Sequence, residues 1–189
     1  MDPRAEEILE YWIGEVGAAR WYAIDEALDD DIRTRFEGLW HEARGGALDV
    51  WTCQPRSCMA LVILLDQFPR NMFRGSDKAY STDAKALAIA KAAIARGFDE
   101  QIGLPERQFF YLPLMHSEAL TDQERSVRLI ALSFGEGESL AHARAHREII
   151  RRFGRFPYRN DALGRSTTGA ERAFLEEGGY GAVVKSFAA

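Results

Sequence analysis

The sequence contains no apolar run long enough to cross a lipid bilayer: its longest, from Cys58 to Leu65, falls far short of the roughly 20 residues that a spanning helix requires. Cysteine is scarce too. Cys53 and Cys58 stand near Pro55, without the paired clusters of a zinc ribbon or the dense framework of a secreted disulfide scaffold, and predict a reduced pair. The chain opens without a charged, apolar and cleavable leader, so the expectation is a soluble, cytoplasmic protein. Strict apolar/polar alternation never lasts beyond a few positions and no Asn-Gly hairpin signal occurs, which argues against strands. No Gly-x-Ser-x-Gly elbow, Walker loop or dinucleotide fingerprint is present, so no reaction class is named and any cofactor stays unassigned. A formal net charge of -5 argues against a general nucleic-acid or acidic-membrane surface.

What remains is a chain of 189 residues, 47% hydrophobic, enough for one domain with a sizeable core. The predicted fold is all-α, a single domain over residues 1–189 built of antiparallel helix hairpins. Asp2 before Pro3 starts a first helix carrying Ile8, Leu9 and Trp12, with Gly14 as its stop. A second begins near Asp30 or Asp31, sets Ile32, Phe36, Trp40 and Ala43 at helical spacing, and closes at Gly45 and Gly46. Pro55 opens a third, apolar on every side and therefore central, and Pro69 should turn the chain just after Asp66 and Gln67.

Ser81, Thr82 and Asp83 offer alternative caps for an alanine-rich helix that stops at Gly97, and Pro105 starts a short aromatic helix broken by Pro113. Thr121 with Glu124 reads as a capping box, Ser139 as the cap of the following helix, and Thr168 with Glu171 as the box of a short helix ending at Gly178. A short tail completes the chain.

The densest chemistry lies from His142 to Asn160, HARAHREIIRRFGRFPYRN, which holds two histidines, six arginines and no lysine. An earlier stretch, DQFPRN from Asp66 to Asn71, shares its aromatic-Pro-Arg-Asn order, with one residue inserted between Pro157 and Arg159. Polar groups this dense beside Ile149, Ile150 and Phe153 must satisfy one another inside the fold or face a ligand. For Arg147, Arg151, Arg155 and Arg159 the functional reading is an anion pocket, because guanidinium forks grip carboxylate and phosphate at two points. The structural reading pairs them with acids such as Asp66, Glu118 or Asp122 across helix breaks. His142 and His146, four residues apart, have metal-pair spacing, but no HExxH carboxylate accompanies them and no metal is assigned. Asn71 and Asn160 brace their turns or line the same pocket. Asp66 and Gln67, ending an apolar helix, need an arginine or histidine partner, and His116 and Glu118 fall within one turn of each other.

The ordered segments LLDQFPRN, YLPLMHSE, DQERS and HREIIRRFGRFPYRN resemble the bacterial domain-of-unknown-function family 924, over most of the chain from Ile8 to about Leu175. The opening ILEYWIG is similar to that family's start, with Tyr11 and Ile13 substituted, while His142 lies outside its motif. The resemblance implies a tetratricopeptide-like (TPR-like) helical array and supplies no activity. The family-like positions it implies are Asp66, Gln67, Arg70, Asn71, His116, Ser117, Glu118, Gln123, Glu124, Arg125, His146, Arg147, Arg155, Arg159 and Asn160. The leading functional expectation is a helical binding protein whose pocket, drawn from Asp66, Gln67, Arg70, Asn71, His116, Glu118, His146, Arg147, Arg155, Arg159 and Asn160, takes a small anionic ligand or a protein segment. Two alternatives stay open. One is a hydrolase-type enzyme with His116 or His146 as base and Glu118 or Asp66 orienting it; the other is a scaffold that binds proteins on its outer surface.

Overall fold

In the computed structural model, which describes residues 1–188, Asp2 caps the first helix, α1 (Pro3–Leu9), its carboxylate accepting the amide of Arg4 at 2.9 Å. Hydrogen bonds from Arg4 and from the Trp51 indole hold that carboxyl down at about 2. The helix does not stop at Gly14. It widens into a π-helical segment, Glu10–Val16, and ends at Gly17, whose φ of 72° suits glycine alone. The second helix, α2 (Glu26–Arg44), starts earlier than its acidic run suggests because Asp25 caps it, accepting from the amides of Ala27 and Leu28. Asp29, Asp30 and Asp31 then fall near the positive end of the helix. The expected stripe of Ile32, Phe36, Trp40 and Ala43 is buried.

Pro69 corrects the expected turn. The chain runs from α3 (Pro55–Val62) through a π-helical segment, Ile63–Gln67, directly into α4 (Phe68–Met72). A proline inside a helix lacks an N–H and crowds the carbonyl four residues earlier, here that of Leu65. Both problems are solved locally. The wider π spacing lets the Phe68 amide reach the Ile63 carbonyl, and the Thr82 hydroxyl donates to the Leu65 carbonyl at 2.6 Å while accepting from the Trp40 indole at 3.2 Å. The helix therefore continues with its orphaned acceptor satisfied.

That engagement explains why Thr82 makes no cap bond to α5 (Asp83–Ala95), the helix it precedes. Ala86, Ala90 and Ala93 are buried there, small enough to bring α5 close to α3. After an aromatic 3-10 turn, Glu106–Phe110, comes the short α6 (Leu112–Met115). Pro113 sits in its first turn and so does not break it, since the missing N–H has no helical partner there.

Among the described residues every regular element is helical, and none is long and apolar enough to cross a membrane. These residues gather in two compact units, Met1–Pro113 and the residues from Leu114 onward. In the second unit α7 (Leu120–Phe134) and α8 (Glu138–Phe153) pack as a hairpin across the Gly135–Gly137 link. The Thr121–Glu124 box does not form, because α7 starts at Leu120 and Thr121 is already inside it; the Ser117 hydroxyl instead donates to Asp122 at 2.8 Å and accepts the Ala119 amide. Ser139 likewise lies within α8. The Thr168–Glu171 box does form, opening α9 (Gly169–Glu176).

The predicted tail is a helix, α10 (Gly179–Phe187), packed on α8. Tyr180, Val183, Val184 and Phe187 follow one another at positions i, i+3, i+4 and i+7, an apolar stripe that joins Ala145, Ile149, Ile150, Phe156 and Phe174 in one cluster.

Candidate functional site

Four of the residues singled out from the sequence lie in the first unit, and there they close a helix junction. Asp66, fully buried, accepts from Gln67 Nε2 at 2.5 Å. Arg70 donates to the Asp66 carbonyl and grips Asp83 at 3.0 and 2.9 Å, tying α4 to the start of α5. Burial works against its charge, yet Asp66 and Asp83 more than offset that and raise its pKa. Asn71 donates to Asp29 at 2.8 Å, and Arg74 takes the same carboxylate with two bonds, so α4 is also fixed to α2. Sequence reasoning missed Asp29. The signal was there: a carboxylate three residues before Ile32 and seven before Phe36, on the apolar stripe of α2.

In the second unit the structure brings His116, Glu118, His146, Arg155, Arg159 and Asn160 around the segment that follows α8. Gly154, in the left-handed region at φ 67°, ends that helix, and Pro157 opens a 3-10 turn, Pro157–Arg159. Glu118 accepts from the Phe156 amide at 2.8 Å and from both Arg165 terminal nitrogens, while Arg165 also donates to the Phe156 carbonyl at 3.0 Å. Burial pulls the Glu118 carboxyl up, but Arg165 and the Phe156 amide pull harder and leave it below its usual range. Arg165, which no sequence pattern marked, is therefore the partner that commits Glu118. Arg155 donates twice to Glu171, at 2.6 and 2.8 Å, and with the Thr168 amide holds that carboxyl well below the ordinary range. Asn160 donates to Thr167 at 3.3 Å, and its Oδ1 is buried without a hydrogen bond. Arg147 pairs with Glu124 at 3.3 Å, and its Nε is buried without a hydrogen bond.

The imidazoles form the remaining cluster. His146, on the buried face of α8, has Nδ1 at 2.9 Å from the His142 carbonyl oxygen. Its ring lies 4.7 Å from that of Tyr180, 5.4 Å from Phe156 and 6.2 Å from His116. Burial, helped by the neighbouring His116 and the Arg159 guanidinium, pushes its pKa down to about 3, so it is neutral at physiological pH. His142 Nδ1 is hydrogen-bonded to the Tyr180 hydroxyl. Arg159, 5% exposed, places its guanidinium 4.4 Å over the Phe156 ring, and Tyr158 stacks on that ring at 5.4 Å. Among the described residues no three His, Cys, Asp or Glu side chains converge to hold a metal ion.

A cleft of about 410 Å³ exists elsewhere, in the first unit, lined by Glu6, Glu10, Arg56, Met59, Ile102 and Glu106 among others. None of the sequence-predicted residues reaches it, and Arg56 there is already paired with Glu6 at 2.7 Å.

The chain is similar to a solved structure of a protein of unknown function from Agrobacterium tumefaciens, at 42% identity and a TM-score of 0.88, covering 93% of this chain and 98% of that one. No curated protein matches it. The family model described as bacterial protein of unknown function (DUF924) matches residues 8–179, which contain both Phe-Pro segments, the imidazole cluster and the Glu118 brace. The chain belongs to that family.

Proposed function

We propose that this is a small cytoplasmic binding protein, a TPR-like arrangement of helix pairs, whose second unit recognises an anionic group through Arg159, His116 and His146. The observation that carries the reading is the placing of the Arg159 guanidinium over Phe156, against the same ring that His146 packs on, with His146 kept neutral chiefly by burial. Burial, the larger cause of that neutrality, disfavours charge of either sign; the part that comes from the Arg159 guanidinium is a positive potential, and it is this part that suits an anion. The guanidinium of Arg159, 4.4 Å over the Phe156 ring, is a planar donor group of the kind that suits carboxylate or phosphate oxygens.

Acid–base chemistry at His146 is the poorer account. A base whose pKa has fallen to about 3 has little drive to take a proton at neutral pH. Glu118, held by Arg165 and the Phe156 amide, is committed to bracing the loop rather than to orienting a histidine.

Thermal unfolding with and without inorganic phosphate, acetate and citrate tests the proposal. Binding raises the midpoint of the wild-type protein and is lost in Arg159→Gln. Arg155→Ala, whose bonds go to Glu171, lowers the midpoint but keeps the ligand-induced rise. If no anion shifts the wild type, or if Arg159→Gln responds like wild type, the proposal fails.

A further inference from the structure

We propose that the cleft of the first unit binds a slender organic cation, a free aliphatic diamine or longer linear polyamine, with its carbon chain on the apolar lining and its ammonium groups on Glu10 and Glu106. The proposal concerns a different unit of the chain from the anion reading above and stands independently of it.

The cleft, about 410 Å³, is bounded by α1 with its π-helical extension, by Arg56 and Met59 of α3, and by residues 101–106. That volume falls within the range of small-molecule sites, about 300 to 1,000 Å³. Leu9, Met59 and Ile102 are buried and supply the apolar lining together with the half-buried Ile13. The charged lining is Glu6, Glu10, Glu106 and Arg56, and Arg56 is already engaged with Glu6 at 2.7 Å. Among the described residues none makes an ion pair or hydrogen bond with the side chain of Glu10 or Glu106. The cleft therefore keeps two uncompensated carboxylates beside apolar surface, and a cation supplies what they lack.

The kind of cation follows from the spread of these groups. Among the described residues no three His, Cys, Asp or Glu side chains come together to hold a metal ion, so Glu6, Glu10 and Glu106 do not converge on one compact charge. An extended ligand charged at both ends meets separated acids. Its methylenes also cover apolar surface that an inorganic ion would leave wet. Gly14 and Gly103 line the same cleft, and neither needs to be glycine for its own backbone: their φ angles lie outside the left-handed region, and a Cβ at either position would meet nothing within 4 Å. Glycine inside a helical segment is unfavourable relative to alanine, so what it provides at position 14 is open space at the cleft.

Calorimetric titration of the full chain at low ionic strength with cadaverine, pentylamine and pentanediol compares two, one and no ammonium groups on the same five-carbon stem, and spermidine extends the series. Cadaverine should bind about 5-fold more tightly than pentylamine, the scale of one more ion pair at an accessible site, and pentanediol should not bind measurably. Glu10→Gln and Glu106→Gln should each weaken cadaverine by about 5-fold, bringing it to the level of pentylamine. Gly14→Leu, which places a side chain in the open space, should abolish binding without lowering the thermal midpoint of the free protein. Should that variant not fold, the two glutamine variants and the ligand series decide alone. Equal affinities for cadaverine and pentylamine would overturn the proposal, as would glutamine variants that bind like wild type, pentanediol binding as tightly as cadaverine, or no binding of either cadaverine or spermidine. An acetylated lysine amide that binds as tightly as cadaverine would assign the cleft to a lysine side chain of a partner protein and also defeat it.

Discussion

The two Phe-Pro segments carry nearly the same residues on opposite backbones. In Asp66–Asn71 the proline lies within an unbroken helical path, bridged by a π turn and by the Thr82 hydroxyl. In Gly154–Asn160 the helix has already ended at a left-handed glycine, and the proline opens a 3-10 turn. Both phenylalanines are fully buried, but in different company. Phe68 packs among Tyr11, Trp12 and Phe36, an aromatic core; Phe156 belongs to the apolar cluster of Ile149 and Phe174 but also meets an imidazole, a guanidinium and a tyrosine. The arginines diverge accordingly: Arg70 locks onto Asp83, while Arg159 lies over its own segment's ring. A short motif thus fixes which side chain goes inside and leaves the backbone to whichever neighbour receives the freed carbonyl.

The largest effect should come from removing either anchor. Phe68→Ala and Phe156→Ala should each cost about 3–5 kcal/mol in chemical denaturation, and a much smaller loss at Phe156 would show its polar surroundings collapsing into the gap. The next effect separates the segments by pH. The folded protein holds His146 neutral with a pKa of about 3, against 6.5 for the ordinary group, so the unfolded chain binds the extra proton and stability drops as pH falls below about 6.5. By pH 5 the loss from this group should reach about 2 kcal/mol, measured as the difference between wild type and His146→Leu. No such difference should follow from substitutions around Phe68.

A smaller effect tests the helix that runs through Pro69. Thr82→Val should cost about 1–3 kcal/mol by leaving the Leu65 carbonyl buried without a donor, and Thr82→Ser should recover most of it. Combining Thr82→Val with Pro69→Ala, which restores the missing N–H, should show favourable coupling in a double-mutant cycle. Smallest is Gly154→Ala: nothing crowds a Cβ there, so the cost is the left-handed backbone alone, about 1–2 kcal/mol by thermal unfolding.

The fold was largely legible because helices announce themselves through period and caps. Pro3, Pro55, Gly46, Gly97 and the Thr168–Glu171 box all act as read. Some misses were local, such as the Gly14 stop and the Thr121 and Ser139 caps, but those that bear on the site share a physical origin: each concerned a group whose partner is remote in sequence. Pro69 reads as a break until Thr82 is known to reach Leu65, and Thr82 reads as a cap until the same fact is known. Glu118 and Arg155 read as pocket residues because Arg165 and the full reach of Glu171 leave no mark in a one-dimensional pattern. Tyr180 to Phe187 was missed for another local reason, since its spacing was plain and its lack of an opening cap, with Gly178 and Gly179 ahead of it, concealed a helix. At the candidate site the four-residue spacing of His142 and His146 was plain, but the neutrality of His146 depends on burial, which spacing alone does not measure.

Glu171 serves two masters. It starts α9 by accepting the Thr168 amide at 2.7 Å, and it holds Arg155, which in turn donates to the Ser166 carbonyl at 2.9 Å. Fraying of the first turn of α9 therefore releases the loop carrying the arginines in the same event, so residues 155–171 should lose amide-exchange protection together, as one cooperative opening unit rather than as a loop and a helix in turn.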